Sequence, residues 1–367
     1  MTSVTQPTSP VSPRTLDRSP FFDNAKFLLI ALVALGHSWE QVITVHTPTL
    51  RAVHNLVYAF HMPAFILLCG YFSRSFTGRP DQIRRLLTGV LLPYLIFETI
   101  YSLVYHWFRG TELETTPIAP TYLCWFLLAL FVWRLTTPIW KALRYAVPIS
   151  LVISFAAGTT RITGDMAMPR VLMFLPFFVL GLQLRPEHFA KLRTRTARCV
   201  AVPVFVGAFA LACLLSPDPN DDWLSSDANN TQLHVSLAQY LLLRLALLTV
   251  SALLVASFLA LVPGRRTWIT GLGAVTLYPY LLHGLVLRIA EYYGVFRVVR
   301  QAGLAGTLVL TAAAVAMVVL LSTPPVRLVL RPLVEPRLPR WLVPAAEVAA
   351  PASVPTAAAE REKTLAR

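Results

Sequence analysis

The chain has 367 residues, of which 56% are hydrophobic and 14% charged, and its formal net charge is +14 at neutral pH. Its mean hydropathy is +0.60, and the charged fraction lies well below the ~25% typical of soluble domains. This composition argues against a soluble globular protein. The positive charge would suggest nucleic-acid binding in a soluble protein, but here it is concentrated in loops between apolar segments, so we expect no nucleic-acid partner.

The two ends of the chain differ in composition from its middle. The first 20 residues are rich in Ser, Thr and Pro and have no apolar core followed by a small-residue cleavage site, so they do not resemble a signal peptide. The last 30 or so are rich in Ala, Pro and Glu. We therefore predict a disordered cytoplasmic tail over 1–20, a transmembrane domain over 21–335 and a second disordered tail over 336–367.

Between the tails, apolar segments recur at lengths near the ~20 residues that a helix needs to cross a bilayer. Their ranges are 21–43, 52–73, 86–106, 122–141, 145–159, 168–184, 198–215, 238–262, 267–290 and 304–330. The predicted fold class is therefore all-α, a polytopic membrane protein with about ten transmembrane helices. Membrane lipids are the expected surroundings.

Basic residues mark alternate loops. They lie in segments 74–85, 141–144, 185–198 and 264–266, whereas the loops around 112–114 and 218–227 are acidic. Because cytoplasmic loops carry the excess of Lys and Arg, this pattern predicts a multi-pass protein of the cell membrane with both termini in the cytoplasm. Segment 288–300 breaks the rule, since Arg288, Arg297 and Arg300 would lie outside.

The first apolar segment has a polar face. At 100° per residue, Asp23, Lys26, His37, Glu40 and Gln41 fall within an arc of about 100°. Charged groups inside a membrane are costly and persist mostly where they do chemistry or line a water-filled path. This helix is therefore the best candidate for a functional site.

The second segment adds more histidines. His54, Tyr58 and His61 share one helical face, and His61 is expected near mid-bilayer, roughly 8 Å in depth from His37. The histidines at 37 and 61 could then line one cavity. The competing interpretation is that each histidine only makes a hydrogen bond between packed helices.

Later segments carry further polar groups. Glu98 and Arg134 both fall near mid-depth and could pair, because a lone charge there would be expensive, and a structural ion pair and a catalytic role are both open for them. Thr276, Tyr280 and His283 share one face of the ninth segment. The four cysteines, Cys69, Cys124, Cys199 and Cys213, have no metal-ligand spacing, so we expect no metal site and no bound cofactor.

These residues carry a family resemblance that spans about residues 21–330. The chain resembles the acyltransferase 3 family of integral membrane O-acyltransferases, and in particular the branch that is similar to fucose 4-O-acetylases. The matching motifs are Lys26 with Gly36-His37, Phe60-His61-Met62-Pro63 with Gly70-Tyr71, Arg84-Arg85 with Leu92-Pro93-Tyr94, Trp125-Phe126-Leu127, Leu175-Pro176-Phe177 through Gly181, and Tyr278-Pro279-Tyr280 through His283. Lys26 departs from the arginine usual in the family, which keeps the charge and loses the bidentate fork.

The resemblance implies acetyl-CoA or another acyl-CoA as co-substrate and a sugar-containing acceptor. His37, Glu40 and His61 would be catalytic: the imidazole of His37 can take a proton from an acceptor hydroxyl or carry the acyl group transiently, and Glu40 can fix its tautomer. The residues implied in binding substrate or acyl-CoA are Asp23, Lys26, Arg84, Arg85, Tyr71, Trp125 and His283.

The sequence thus predicts a membrane O-acyltransferase, with acetyl as the leading acyl group, that moves this group to a sugar hydroxyl of a glycan, a lipid-linked sugar or a glycosylated metabolite. A transporter or polysaccharide exporter is the alternative, because intramembrane His, Glu and Arg also relay protons. A third alternative, a noncatalytic scaffold, predicts that the polar face of the first segment is dispensable.

Overall fold

The computed structural model describes residues 19–110, 116–160, 162, 165–215 and 222–337, and within these ranges it contains helices and no strand. This confirms the all-α fold class. Residues 1–18 and 338–367, which make up most of the two predicted tails, lie outside the described residues.

The described ranges contain α-helices together with a π-helical segment, Leu87–Leu91, and two 3-10 turns, Tyr122–Cys124 and Asp165–Ala167. The α-helices are α1 (Pro20–Glu40), α2 (Pro48–Tyr58), α3 (His61–Phe72), α4 (Pro80–Leu86), α5 (Leu92–Arg109), α6 (Trp125–Leu135), α7 (Thr137–Ala142), α8 (Ala146–Thr159), α9 (Met168–Met173), α10 (Leu175–Gln183), α11 (Pro186–Leu192), α12 (Arg195–Leu215), α13 (Asp222–Ser225), α14 (Leu237–Leu261), α15 (Thr270–Gly273), α16 (Leu277–Tyr292), α17 (Val295–Gln301), α18 (Gly303–Leu321) and α19 (Pro324–Val334).

Six helical stretches of the described chain are long and apolar enough to cross a membrane, or seven if the bent pair α9 and α10 forms one span. The predicted count of about ten is therefore not confirmed. Several predicted segments are broken where a proline opens a new helix, at Pro138, Pro176 and Pro324. A proline has no backbone N–H and disfavours helical conformation in the residue before it, so a continuous apolar run becomes two shorter helices.

Helix α1 lies at the centre of the bundle. It packs against α2, α3, α15, α16 and α18, and 67% of its apolar window is buried, against 6% for α12. The side chains of Asp23, Lys26 and His37 are at most 23% exposed, whereas that of Glu40, at the end of the helix, is 52% exposed. Most of the polar face of α1 is therefore an internal surface of the protein, and it opens at Glu40.

Helices α3 and α10 approach each other through two glycines. A Cβ atom at Gly70 would lie 2.1 Å from the Phe178 carbonyl oxygen, and one at Gly181 would lie 2.1 Å from the Leu67 carbonyl oxygen. Small residues let helix backbones come this close inside a membrane, where van der Waals packing supplies much of the association energy. The contact fixes α3, and with it His61, relative to α10.

Candidate active site

His37 lies in the last turn of α1, where the carboxylate of Glu40 and the phenol of Tyr58 lie beside its ring. Its Nδ1 atom is 3.3 Å from Oε2 of Glu40 and 3.3 Å from the hydroxyl of Tyr58. The Tyr58 hydroxyl also donates to Glu40 Oε2 over 3.4 Å. A carboxylate beside Nδ1 favours the tautomer in which Nδ1–H donates to Glu40, which leaves Nε2 as the basic nitrogen.

Gly36 makes this arrangement possible. A Cβ atom at that position would lie 2.7 Å from Cε2 of Tyr58. The absence of a side chain therefore lets the Tyr58 ring approach α1 beside His37. The Gly36-His37 pair belongs to one motif of the sequence. In the structure, His37 contributes its ring to the site and Gly36 leaves the space that the Tyr58 ring occupies.

Two further histidines lie close to this group, and both have a fixed orientation. Nδ1–H of His61 donates to the Val57 carbonyl, and Nδ1–H of His283 donates to the Pro279 carbonyl, each over 2.8 Å. Both rings therefore present Nε2 without a proton when neutral. The His283 ring centroid is 5.7 Å from that of His37, and the His61 centroid is 4.8 Å from that of Tyr58.

His61 lies one helical turn after Tyr58, so the two rings are neighbours on one face of the predicted second span. Helix α2 ends at Tyr58 and α3 begins at His61, with Ala59 and Phe60 between them, but the stretch Pro48–Phe72 still forms one candidate membrane span. His54 stacks on Tyr58 with centroids 4.0 Å apart. We call His37, Glu40, His54, Tyr58, His61, Tyr122 and His283 the polar cluster.

Tyr122 joins the polar cluster from a strained turn. Its φ is 51°, in the left-handed region that a bulky residue adopts only at a cost of about 1–3 kcal/mol, and its ring centroid lies 5.3 Å from that of His37. The turn is held by Glu98, whose carboxylate accepts from the Thr121 backbone N–H at 2.9 and 3.0 Å and from its hydroxyl at 2.5 Å.

The predicted pairing of Glu98 with Arg134 is therefore wrong. Glu98 binds Thr121, while Nε of Arg134 donates to the Ser73 hydroxyl over 3.2 Å. Hydrogen bonds from a neighbouring turn satisfy the buried carboxylate without an arginine. The Tyr280 hydroxyl also donates to the Leu123 carbonyl, so the same turn is anchored from α16.

The other end of the polar face of α1 is a separate group. Lys26 pairs with Asp23, with Nζ 2.7 Å from Oδ1. Between them Asn24, which sequence reasoning did not single out, donates to the carbonyls of Pro263 and Arg265 over 2.8 and 3.0 Å. Asn24 thereby ties the start of α1 to the loop after α14.

Tyr71 lies beside this end in an aromatic group. Its ring stacks on Phe22 with centroids 4.9 Å apart, contacts Phe189, and carries the Arg74 guanidinium 3.6 Å from its centroid. Tyr71, Phe72 and Arg74 also line a cleft. Arg74 is thus a further basic residue near this end of α1. In the sequence it is one of several arginines in segment 74–85, and nothing there distinguishes it from the others.

Arg84 and Arg85 lie on α4, near the same end. The Arg85 side chain is 82% exposed and its Nη2 lies 3.6 Å from Asp81, while Nε of Arg84 faces the Pro80 carbonyl at 3.4 Å. Arg85 lines a cleft of 180 Å³ together with Phe72, Ser73, Phe76, Gln82 and Arg134. This cleft is rich in positive charge.

The structure thus divides the predicted site residues into two groups and leaves one apart. His37, Glu40, His61 and His283 meet in the polar cluster, while Asp23, Lys26, Tyr71 and the arginines of α4 lie toward the other end of α1. Trp125 instead stacks on Phe174 and lies under the Arg170 guanidinium. Among described residues, its ring contacts include none with the polar cluster.

Comparison with known proteins gives a family match. A family model described as an acyltransferase domain, Acyl_transf_3, matches residues 19–324. The chain is also similar to the nodulation protein NolL of Mesorhizobium japonicum, 30% identical over 185 residues that make up 46% of this chain and 48% of that protein. NolL of Sinorhizobium fredii is 28% identical over 183 residues, 45% of this chain and 48% of that protein. The chain spans about half the length of these curated relatives, and no solved structure matches it.

Proposed function

From the premise that this chain belongs to the acyltransferase 3 family and is a multi-pass membrane acyltransferase, we propose that it moves an acetyl or similar acyl group from acyl-CoA to a hydroxyl of a sugar-containing acceptor. The acceptor class comprises glycans, lipid-linked sugars and glycosylated metabolites. The observation that carries the proposal is His37 Nδ1 held beside Glu40, which leaves Nε2 free to act as a base. Acyl-CoA is a co-substrate in this scheme, with no bound cofactor and no metal.

The chemistry needs only one proton acceptor near the reacting atoms. Nε2 of His37 takes the proton of the acceptor hydroxyl as its oxygen attacks the thioester carbonyl carbon. A C–O bond forms, the C–S bond breaks, and the coenzyme leaves as a thiolate that takes the proton from the imidazolium. Glu40 stabilises that imidazolium, as a carboxylate beside a charged imidazole does in other acyl transfers.

The donor is placed with its phosphates at the N-terminal end of α1, which we assign to the cytoplasmic side by the loop charges. Lys26, Arg74 and the arginines of α4 supply the positive groups that phosphates bind. Lys26 and His37 are eleven residues apart, about 16 Å along the helix axis. The extended arm of an acyl-CoA would have to cover this distance to bring its thioester to His37.

Removing the α4 arginines tests the donor site. Arg84→Ala combined with Arg85→Ala is expected to raise the KM for acyl-CoA about tenfold and to make it less sensitive to salt, because fewer screened phosphate contacts remain. Steady-state kinetics of the purified protein at two ionic strengths measure both effects. The matched control is Arg144→Ala combined with Arg195→Ala, which removes two exposed charges from other basic segments. If the KM for acyl-CoA rose equally in both double variants, the α4 arginines would have no specific role in binding the donor and would be assigned a role in membrane topology.

Transfer across the bilayer tests the function itself. In a variant without the four native cysteines, single cysteines at Arg79 and Val45 mark the two ends of the bundle, since both side chains are well exposed. Proteoliposomes in which labelled acetyl-CoA meets the Arg79 side are expected to acetylate a glycoside supplied on the Val45 side. Mass spectrometry of the glycoside detects the ester.

The alternatives give different results in the same vesicles. A transporter would accumulate the glycoside without acyl-CoA when an ion gradient is applied, and would form no ester. A scaffold would do neither. Glycoside uptake without any modified product would therefore overturn the proposal.

A further inference from the structure

A cleft of 270 Å³ opens beside the polar cluster, between the C-terminal ends of α5 and α16. Three aromatic side chains, Tyr105, Phe108 and Tyr292, and three charged ones, Arg109, Arg288 and Glu291, line it together with Val104. Its volume is at the small end of the ~300–1,000 Å³ range of ligand pockets. The size suits one small polar unit.

The cleft adjoins His37 through a single ring. The Arg288 guanidinium lies over the ring of Tyr122, 4.1 Å from its centroid, and the same ring lies 5.3 Å from that of His37, centroid to centroid. The Arg288 side chain is only 11% exposed, and its buried Nε makes no hydrogen bond with any residue that the structure describes. Since that nitrogen is buried, the donors that a ligand in the cleft can reach are the other N–H groups of the guanidiniums of Arg288 and Arg109, which line it.

The charges in the cleft disfavour a strongly anionic ligand. The Glu291 carboxylate is held between two guanidiniums, 2.9 Å from Arg109 and 2.5 Å from Arg288. A phosphate entering the cleft would meet this carboxylate, whereas neutral hydroxyl groups can both donate to it and accept from the arginines. An acyl chain would leave all three charged groups without new partners.

The aromatic lining supplies a flat surface at the rim. Phe108 and Tyr292 stack with centroids 4.2 Å apart and planes at 17°. Because the two rings cover one face of each other, the pair offers a ligand its outer face and its edges. Aromatic surface next to groups that donate and accept hydrogen bonds suits a ligand with one apolar face and a hydroxylated edge. A pyranose ring has this shape.

The position of Arg288 also resolves an exception in the sequence. Arg288 lies in the segment that breaks the positive-inside pattern, so topology gives no reason for a basic residue there. Its nearly buried guanidinium between Tyr122 and Glu291 gives a different reason. The guanidinium also lines the cleft.

We propose that this cleft is the subsite for the acceptor's sugar unit, with Arg288 and Glu291 binding its hydroxyls, the stacked pair of Phe108 and Tyr292 contacting its apolar face, and the hydroxyl to be acylated directed past Tyr122 toward His37. The inference rests on the proposed function. It adds the position of the acceptor's sugar unit and the residues that bind it.

The test uses purified protein, labelled acetyl-CoA and p-nitrophenyl glycosides of fucose, rhamnose, glucose and galactose, with the best-accepted glycoside chosen for kinetics. Arg288→Gln and Tyr292→Ala are each expected to raise the KM for that glycoside about tenfold, the factor that ~1.4 kcal/mol represents, with the KM for acetyl-CoA unchanged. Tyr293→Ala is the matched control, because Tyr293 is adjacent, is 74% exposed and does not line the cleft.

The outcomes separate this proposal from the proposed function. If the wild-type protein acetylates a glycoside and the cleft variants keep its KM, the subsite is wrong while the function stands. If the wild-type protein releases free coenzyme but acetylates none of the glycosides, the sugar acceptor and the subsite are both overturned. A variant whose two KM values rise together contradicts an acceptor-specific role.

Discussion

Replacing His37 by alanine is expected to lower acyl transfer by about 10²–10⁴-fold, the loss typical when a general base is removed. The loss should fall on kcat, because the side chain is proposed to act on the hydroxyl proton and not to hold the donor. Initial rates with labelled acetyl-CoA and a glycoside acceptor measure it. Insertion should be unaffected, since the His37 side chain is partly exposed and, among the described residues, its hydrogen bonds are to Glu40 and Tyr58.

The matched control is His46→Ala. His46 lies in the exposed loop between α1 and α2, so the change removes the same type of side chain outside the polar cluster. Its activity should equal that of the wild-type protein. Wild-type activity in His37→Ala would remove this residue from the mechanism, while a matching loss in both variants would indicate a general effect on the region.

Replacing Gly181 by alanine is expected to lower the free energy of unfolding by about 1–3 kcal/mol, the usual cost of forcing extra atoms into a packed interior. The added Cβ would lie 2.1 Å from the Leu67 carbonyl oxygen, a backbone atom that cannot move aside without shifting α3. Thermal unfolding in detergent, followed by circular dichroism, measures the change. A loss of activity should accompany it, because His61 begins α3.

Gly207→Ala is the control with the opposite expected sign. Gly207 lies within α12, where a Cβ would meet nothing within 4 Å, so the change only removes backbone freedom and should stabilise the helix by roughly 0.5–1 kcal/mol. If both substitutions stabilised the protein, the close approach of α3 and α10 would not be what requires Gly181.

The fold class followed from composition alone. A chain with 56% hydrophobic residues and long apolar segments must satisfy its backbone hydrogen bonds within each segment, and helices do this without neighbours. The number of spans did not follow, because hydropathy does not register where a helix ends or bends: Tyr122–Leu135 ends before Pro138 as a shorter apolar helix, and the pair α9 and α10 is bent by 57° near Pro176. The predicted count of about ten spans is therefore larger than the six or seven stretches of the described residues that are long and apolar enough to cross a membrane.

The polar face of α1 was predictable because helical periodicity is local. Asp23, Lys26, His37 and Glu40 are on one helix, and the 100° turn per residue determines their alignment. The pairs Asp23 with Lys26 and His37 with Glu40 are both present in the structure. The same turn of 100° per residue placed Tyr58 and His61 on one face. Their rings are adjacent in the structure, with centroids 4.8 Å apart, although α2 ends and α3 begins between them.

Contacts between distant segments were decided by the tertiary structure alone. Glu98 turned to Thr121 rather than Arg134, since sequence positions indicate the depth of a residue but not which neighbouring helix or turn it faces. Tyr122 reaches His37 from a turn with positive φ that no local pattern predicts. Arg288 breaks the pattern of loop charges, and besides its local ion pair with Glu291 the tertiary structure places its guanidinium over the Tyr122 ring.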